Sequence, residues 1–137
     1  MAGKRGLRRG REDYLRAIYE LGLGVNNNIK SVEIARVLEV SKPSVSEMLR
    51  KLSANGLVKL EPYSKVTLTQ KGMKQGEILH DKHLAVKNFL RKMLRYDEKM
   101  MNDEAHELEH AFSHEAIGHL NNLVYGKAVK DAPCYVG

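Results

Sequence analysis

Cysteine occurs once in this chain, at Cys134, so no disulfide can form within it. A lone thiol suits a reducing compartment, and a cytoplasmic protein is expected. No apolar run approaches the ~20 residues needed to cross a bilayer, so no membrane partner is expected. The basic N-terminus leads into charged sequence and not into an apolar signal segment. No internal repeat is present, and compositional bias is confined to the first eleven residues. Acid is absent there: Lys4, Arg5, Arg8, Arg9 and Arg11 alternate with Gly3, Gly6 and Gly10 before Glu12 appears. This reads as a flexible basic arm, either solvated or in contact with phosphates. The 23 Lys and Arg outnumber 17 Asp and Glu, and the pI near 9.4 favours a polyanionic partner. At 137 residues, 42% of them hydrophobic, the chain is long enough for one globular domain or two small ones.

What is present is organised around Val40–Gly56, VSKPSVSEMLRKLSANG. Ser41 is an N-cap residue, and Pro43 is tolerated in a first turn whose amides lack intrahelical partners. Val45, Met48, Leu49 and Leu52 form one apolar stripe at helical spacing. Gly56 supplies the C-terminal stop. Upstream, Glu12–Leu23 is a helix with Tyr14, Leu15, Ile18, Tyr19 and Leu21 inward, broken by Gly22, Gly24 and Asn26–Asn28. Ser31 caps a second helix, Val32–Glu39, and a tight turn at Val40-Ser41 leads into the third. One helix bracing while the next enters a groove is the helix-turn-helix plan. Ser41, Lys42, Pro43, Ser44, Ser46, Glu47 and Arg50 are the candidate DNA contacts. Arg50 suits phosphates, and a carboxylate at Glu47 must accept from a cytosine amino group or face away. Two β-prone runs, Leu57–Leu60 and Lys65–Thr69, then predict a two-stranded wing bearing Lys59, Tyr63 and Lys65. Arg8 and Arg9 of the arm complete the candidate interface.

Past residue 70 the pattern is helical, and all six histidines lie there. A long helix is predicted from Thr69 or Gln70 to about Arg95, with Gly72 and Gly76 permitting close packing. Asp97 caps a helix from Glu98 to about Phe112, and Ser113 caps one from His114 to about Tyr125. The segment DEAHELEHAFSHEAIGH places His106 and His110 four apart on one helix face, with Glu109 adjoining. Two imidazoles and a carboxylate make a divalent-metal platform, and His83 joins them if the two helices pack antiparallel. His106-Glu107-Leu108-Glu109-His110 also matches H-E-x-x-H, in which two histidines hold zinc and the first Glu activates water. That reading needs a substrate cleft in about 65 residues, so an enzyme is not expected. His80, His114 and His119 read as exposed or satisfied side chains, and Cys134 as incidental.

The chain resembles the metal-dependent repressors that include the diphtheria toxin repressor, iron-dependent regulators and manganese transport regulators. The resemblance rests on EDYLRAIYEL at 12–21, SKPSVS at 41–46, GLV at 56–58, LTQKG at 68–72, His83 with Phe89-Leu90, and EHAFS at 109–113. These elements occur in the family's order over about residues 11–125. The resemblance implies a homodimer that binds operator DNA of metal-uptake genes when Mn(II) or Fe(II) is bound. It implies Asp13, His83, His106, Glu109 and His110 as metal ligands. Asp13 stands where iron-type members carry methionine and manganese-type members aspartate. His106 stands where those types carry cysteine and glutamate respectively, and matches neither. Arg16 replaces a carboxylate ligand of the manganese type, which disfavours a second metal nearby. Lys87 stands where iron-type members place an acidic ligand. The SH3-like domain of long members is not expected in a chain of this length. The donor set, imidazoles and carboxylates only, suits Mn(II) or Fe(II), and Co(II), Ni(II) or Zn(II) would also bind.

The expected fold is therefore mainly α. Residues 1–70 form a winged helix-turn-helix domain with a basic arm at 1–11. Residues 71–137 form a helical metal-binding and dimerisation domain. The expected function is a metal-activated transcriptional repressor. The alternatives are a winged-helix regulator with a non-metal effector, and a zinc hydrolase.

Overall fold

The structure, a computed structural model, describes residues 10–24 and 29–125. Arg8 and Arg9, Asn26–Asn28 and the tail with Cys134 lie outside the described residues. The chain divides into two compact units, with the boundary between His80 and Asp81.

In the N-terminal unit, α1 (Arg11–Gly24) begins with Glu12 and Asp13, negative charges that suit the positive end of a helix dipole. The Asp13 carboxylate accepts from the Gly10 N–H at 3.1 Å. Tyr14, Leu15, Ala17 and Ile18 are buried. Burial pushes the Tyr14 phenol above its ordinary value, so it stays protonated at neutral pH. The helix does not break at Gly22 as expected. It runs through to Gly24, and a Cβ at Gly22 would only touch Ile29 Cδ1, at 3.4 Å.

β1 (Ile29–Lys30) leads into α2 (Ser31–Leu38). The expected cap at Ser31 moves one residue back. Lys30 is the N-cap position, and its N–H donates to the Glu33 carboxylate at 3.0 Å. A lysine side chain has no acceptor to return, so half of a capping box forms. Glu39, expected as helical, sits at φ 58 and closes α2, with its own N–H and that of Val40 donating to Arg36 and Ala35.

α3 (Lys42–Ala54) follows the sequence expectation closely. Ser41 Oγ accepts from the Ser44 N–H at 3.2 Å, and Val45, Leu49 and Leu52 are buried. At its far end Gly56 adopts φ 74, with Gly56 N–H to the Ser53 carbonyl and Leu57 N–H to the Leu52 carbonyl. This is a Schellman closure, and the buried Leu52 and Leu57 accompany it.

The wing is a three-stranded sheet and not the two-stranded ribbon expected. β2 (Val58–Glu61) and β3 (Lys65–Leu68) pair antiparallel, and β1 adds to the other side of β3 in the order β1-β3-β2. β1 pairs Ile29 with Val66 and Lys30 with Lys65. Two residues carry no period to detect, which is why the strand is silent in the sequence. At the hairpin tip Tyr63 and Ser64 are both left-handed, at φ 64 and 61, and the Ser64 carbonyl accepts from the Ser31 N–H.

α4 (Gln70–Lys92) is capped by Thr69, whose Oγ1 accepts from the Gly72 N–H at 3.0 Å and donates to the Gly56 carbonyl at 2.7 Å. One residue thus ties the ends of the wing, α3 and α4 together. Gly72 is required here: a Cβ would stand 2.0 Å from the Leu57 carbonyl oxygen. In the C-terminal unit, α5 (Glu98–Glu109) is capped by Asp97, as expected, and ends three residues earlier than expected, with His110 as its C-cap. α6 (His114–Tyr125) is capped by Ser113 Oγ, which accepts from the Ala116 N–H. The Tyr125 hydroxyl accepts from Asn88 at 2.6 Å, and Lys92 Nζ lies 4.9 Å from the Tyr125 ring centre, so α6 is held to α4. Val86, Leu90, Met101, Ala105 and Ile117 are buried in this unit.

Two glycines should respond oppositely to the same change. Gly72→Ala forces a methyl group into backbone and should cost about 3 kcal/mol. Gly118→Ala, on α6 with nothing within 4 Å of the new Cβ, should stabilise by about 0.5–1 kcal/mol. Denaturant unfolding of both variants checks the pair of signs.

Candidate metal centre and nucleic-acid interface

Two imidazoles of the C-terminal unit flank one carboxylate. α4 supplies His83, and α5 with its C-cap supplies His106, Glu109 and His110. Glu109 Oε1 pairs with His83 Nδ1, and both groups are buried. The second oxygen, Oε2, lies 3.9 Å from His110 Nε2. His106, also buried, stands edge-on to His110 with ring centres 5.0 Å apart. The four-residue spacing brings the two imidazoles together even though α5 stops at Glu109. His110, at φ −79 and ψ −14, keeps the helical direction as the cap. The packing of α4 against α5 adds His83, which sequence spacing alone left conditional.

This donor set fits a divalent transition-metal ion. Three imidazoles and a carboxylate are borderline-to-hard donors, and three of the four groups are withdrawn from water. A buried carboxylate calls for compensating positive charge or hydrogen bonds. The geometry also separates the two acids of the H-E-x-x-H match. Glu107, the would-be general base, is exposed, whereas Glu109 is the acid among the imidazoles. Asp13 belongs to the N-terminal unit, where it is 3% exposed on the first turn of α1. Of the other histidines, His80 pairs with Glu20 at 2.8 Å, and Glu20 also accepts from Arg16 at 3.3 Å. His114 and His119 are exposed.

In the N-terminal unit, Ser41, Lys42, Pro43, Ser44, Ser46, Glu47 and Arg50 are all exposed on or at the start of α3, and Lys65 is half-buried on β3. Lys42 and Ser46 share a cleft of about 380 Å³ with Lys30 and Ser31 at the start of α2 and with Tyr63 and Ser64 at the hairpin tip. Lys30 and Ser31 are additions that spacing did not mark. The one available signal was their place at a helix start, and the hairpin that faces them is remote in sequence. Cations and hydroxyls without an acid in this cleft suit phosphate oxygens.

A winged helix-turn-helix head and a helical unit with an imidazole–carboxylate cluster define the class of metal-responsive transcription regulators. The chain belongs to the iron dependent repressor family. It matches that family's N-terminal DNA binding domain over residues 7–66 and its metal binding and dimerisation domain over residues 69–126. An uncharacterized HTH-type transcriptional regulator of Methanocaldococcus jannaschii is 41% identical over 109 residues, covering 80% of this chain and 87% of that protein. The HTH-type transcriptional regulator MntR of Lysinibacillus sphaericus is 34% identical over 113 residues, covering 82% and 80%. The solved structure of the manganese regulator SloR superposes with a TM-score of 0.75 at 34% identity, covering 85% of this chain. The chain spans 54% of the length of SloR. Among the described residues no helix is long and apolar enough to cross a membrane.

Replacing Glu109 by Ala leaves the buried His83 without its partner. In chelator-treated protein this should lower stability by about 1–3 kcal/mol, measured by denaturant unfolding. An unchanged midpoint would mean that the pair contributes nothing without metal.

Proposed function

We propose that the chain is a Mn(II)- or Fe(II)-activated repressor that binds operator DNA of metal-uptake genes as a homodimer. The observation that carries this reading is the buried Glu109 carboxylate, held between His83 and His110 with His106 beside them. The proposed ligands are these four residues together with Asp13. The first four come from one helical unit. Asp13 is the donor that the resemblance adds from the first turn of α1, and the burial of its carboxylate supports that role.

When bound, the metal supplies the dipositive charge that two buried carboxylates need. The residues do the rest. His83, His106 and His110 fix the ion's position from α4 and α5, and Glu109 offsets part of its charge. Asp13 transmits occupancy to α1, the helix whose Tyr14 and Ile18 belong to the same core as Val45 and Leu49 of α3. Metal thereby favours one placement of the heads, suited to two half-sites about one DNA turn, or a multiple of it, apart. The linkage is reciprocal, so operator DNA must tighten metal binding by the same factor. With no thiolate or thioether among the ligands, Co(II), Ni(II) or Zn(II) should also fill the site, often more tightly. Selectivity then depends on geometry and supply. Folding as a winged-helix regulator without catalysis is the corresponding reading of the H-E-x-x-H match.

The test is binding to duplexes selected from a randomised pool, at fixed salt, titrated with Mn(II), anaerobic Fe(II), Co(II) and Zn(II), with a chelator control. Binding that appears with metal, and is lost in chelator, is expected. Asp13→Ala should shrink the ratio of metal-loaded to metal-free DNA affinity by about tenfold while leaving metal-free binding little changed. Equal losses in both states would remove Asp13 from the coupling. Equally tight binding in chelator would overturn the metal switch.

Arg50→Ala addresses the DNA face separately. Affinity should fall by a similar factor for every duplex, and the slope of log affinity against log salt should decrease by about 1. A loss restricted to one base position would instead mark Arg50 as a base reader.

A further inference from the structure

α3 carries one acid, and its place on the helix is informative. The buried stripe is Val45, Leu49 and Leu52. Directly opposite runs an exposed ridge of Pro43, Glu47, Arg50 and Ala54, separated by four, three and four positions. On one flank Lys42 and Ser46 line the cleft shared with the hairpin tip. On the other, Ser44 and Lys51 line a recess with Tyr14 and Met48, and Glu47 stands at its edge on the ridge side. A helix seated in a major groove puts its outermost ridge deepest, and its N-terminal half meets the base edges. Glu47 is the first polar residue on that ridge.

Among the described residues no cation forms an ion pair with it, although Lys51 stands four residues on, where helical Glu–Lys pairs ordinarily form. A free carboxylate facing phosphates would weaken binding. A carboxylate facing the groove floor instead accepts hydrogen bonds, and it offers no donor. Guanine presents only acceptors there, as does thymine beside its methyl group. Adenine pairs its amino donor with an acceptor that repels a second carboxylate oxygen. Cytosine offers an amino donor without that penalty.

We propose that Glu47 is a specificity-determining residue that selects cytosine at one position of each operator half-site. This rests on the DNA-binding reading above and adds to it the base that the protein prefers. Glu47→Gln places a donor and an acceptor side by side, the pattern that matches adenine N6 and N7. Glu47→Ala removes the contact and supplies no replacement.

The experiment is selection from a randomised duplex pool in Mn(II) at fixed salt, with sequencing of the bound fraction, for the full-length protein and both variants. All three should fold alike, because Glu47 is exposed. Wild type should enrich C·G at one position by about tenfold or more. Glu47→Gln should move that single position to A·T, and Glu47→Ala should flatten it, with other positions unchanged. Identical base preferences in all three proteins would overturn the proposal while leaving the repressor reading intact. Absence of any DNA selection by wild type in Mn(II), Fe(II) or Co(II) would overturn both.

Discussion

A carboxylate taken out of water has to be compensated, and in the C-terminal unit the compensation of Glu109 organises its surroundings. One oxygen meets the His83 ring from α4, and the other faces His110 at the end of α5. Neither helix could rotate much without breaking that pairing. The same arrangement leaves donors of mixed imidazole and carboxylate type within one small region, which a divalent ion would hold far more firmly than a hydrogen-bonded pair does. The side chains that keep the unit folded are therefore those whose protonation and geometry a metal would alter.

The N-terminal unit obeys a different constraint, which is close approach of backbone. Gly72 brings α4 against the Leu57 carbonyl, and Gly76 lets the same helix meet Tyr19, whose Cβ would lie 2.7 Å from an added methyl. Thr69 joins the end of α3 to the start of α4 by two hydrogen bonds. These contacts hold α3 and the hairpin in one register. The cations of the reading face, Lys30 and Lys42 among them, are thus presented on a stiff surface. Left-handed Tyr63 and Ser64 are part of it, since Ser64 also accepts from Ser31. Each such non-glycine position costs about 1–2 kcal/mol, and the three-stranded sheet supplies the contacts that hold them.

Much of this was legible in the sequence. The cap at Ser41, the stripe on α3, the glycine at its end, and the caps at Asp97 and Ser113 are local signals, each spanning a turn or less. The four-residue interval between His106 and His110 was equally plain. Ser31 looked like a cap, but β1 draws Lys30 into pairing with Lys65 and shifts the helix start. Glu39 looked helical, but the turn into α3 forces it left-handed. Gly22 looked like a break, but α1 runs through it to Gly24. At Lys30 a strand partner remote in sequence overrode a local preference, whereas the closure at Glu39 is made by its own neighbours Ala35 and Arg36.

The sequence by itself determined which residues could carry chemistry: a basic helix with a single acid, and histidines confined to the second half, two of which bracket Glu107 and Glu109. Periodicity and capping are short-range, so they survive without knowledge of the fold. Only the tertiary structure decided which acid is buried beside an imidazole of another helix. By pattern Glu109 belonged to the metal platform and Glu107 to the hydrolase reading of the same motif. The packing of α5 against α4 buries Glu109 beside His83 and leaves Glu107 in solvent, because a helix can turn only one face to its neighbour.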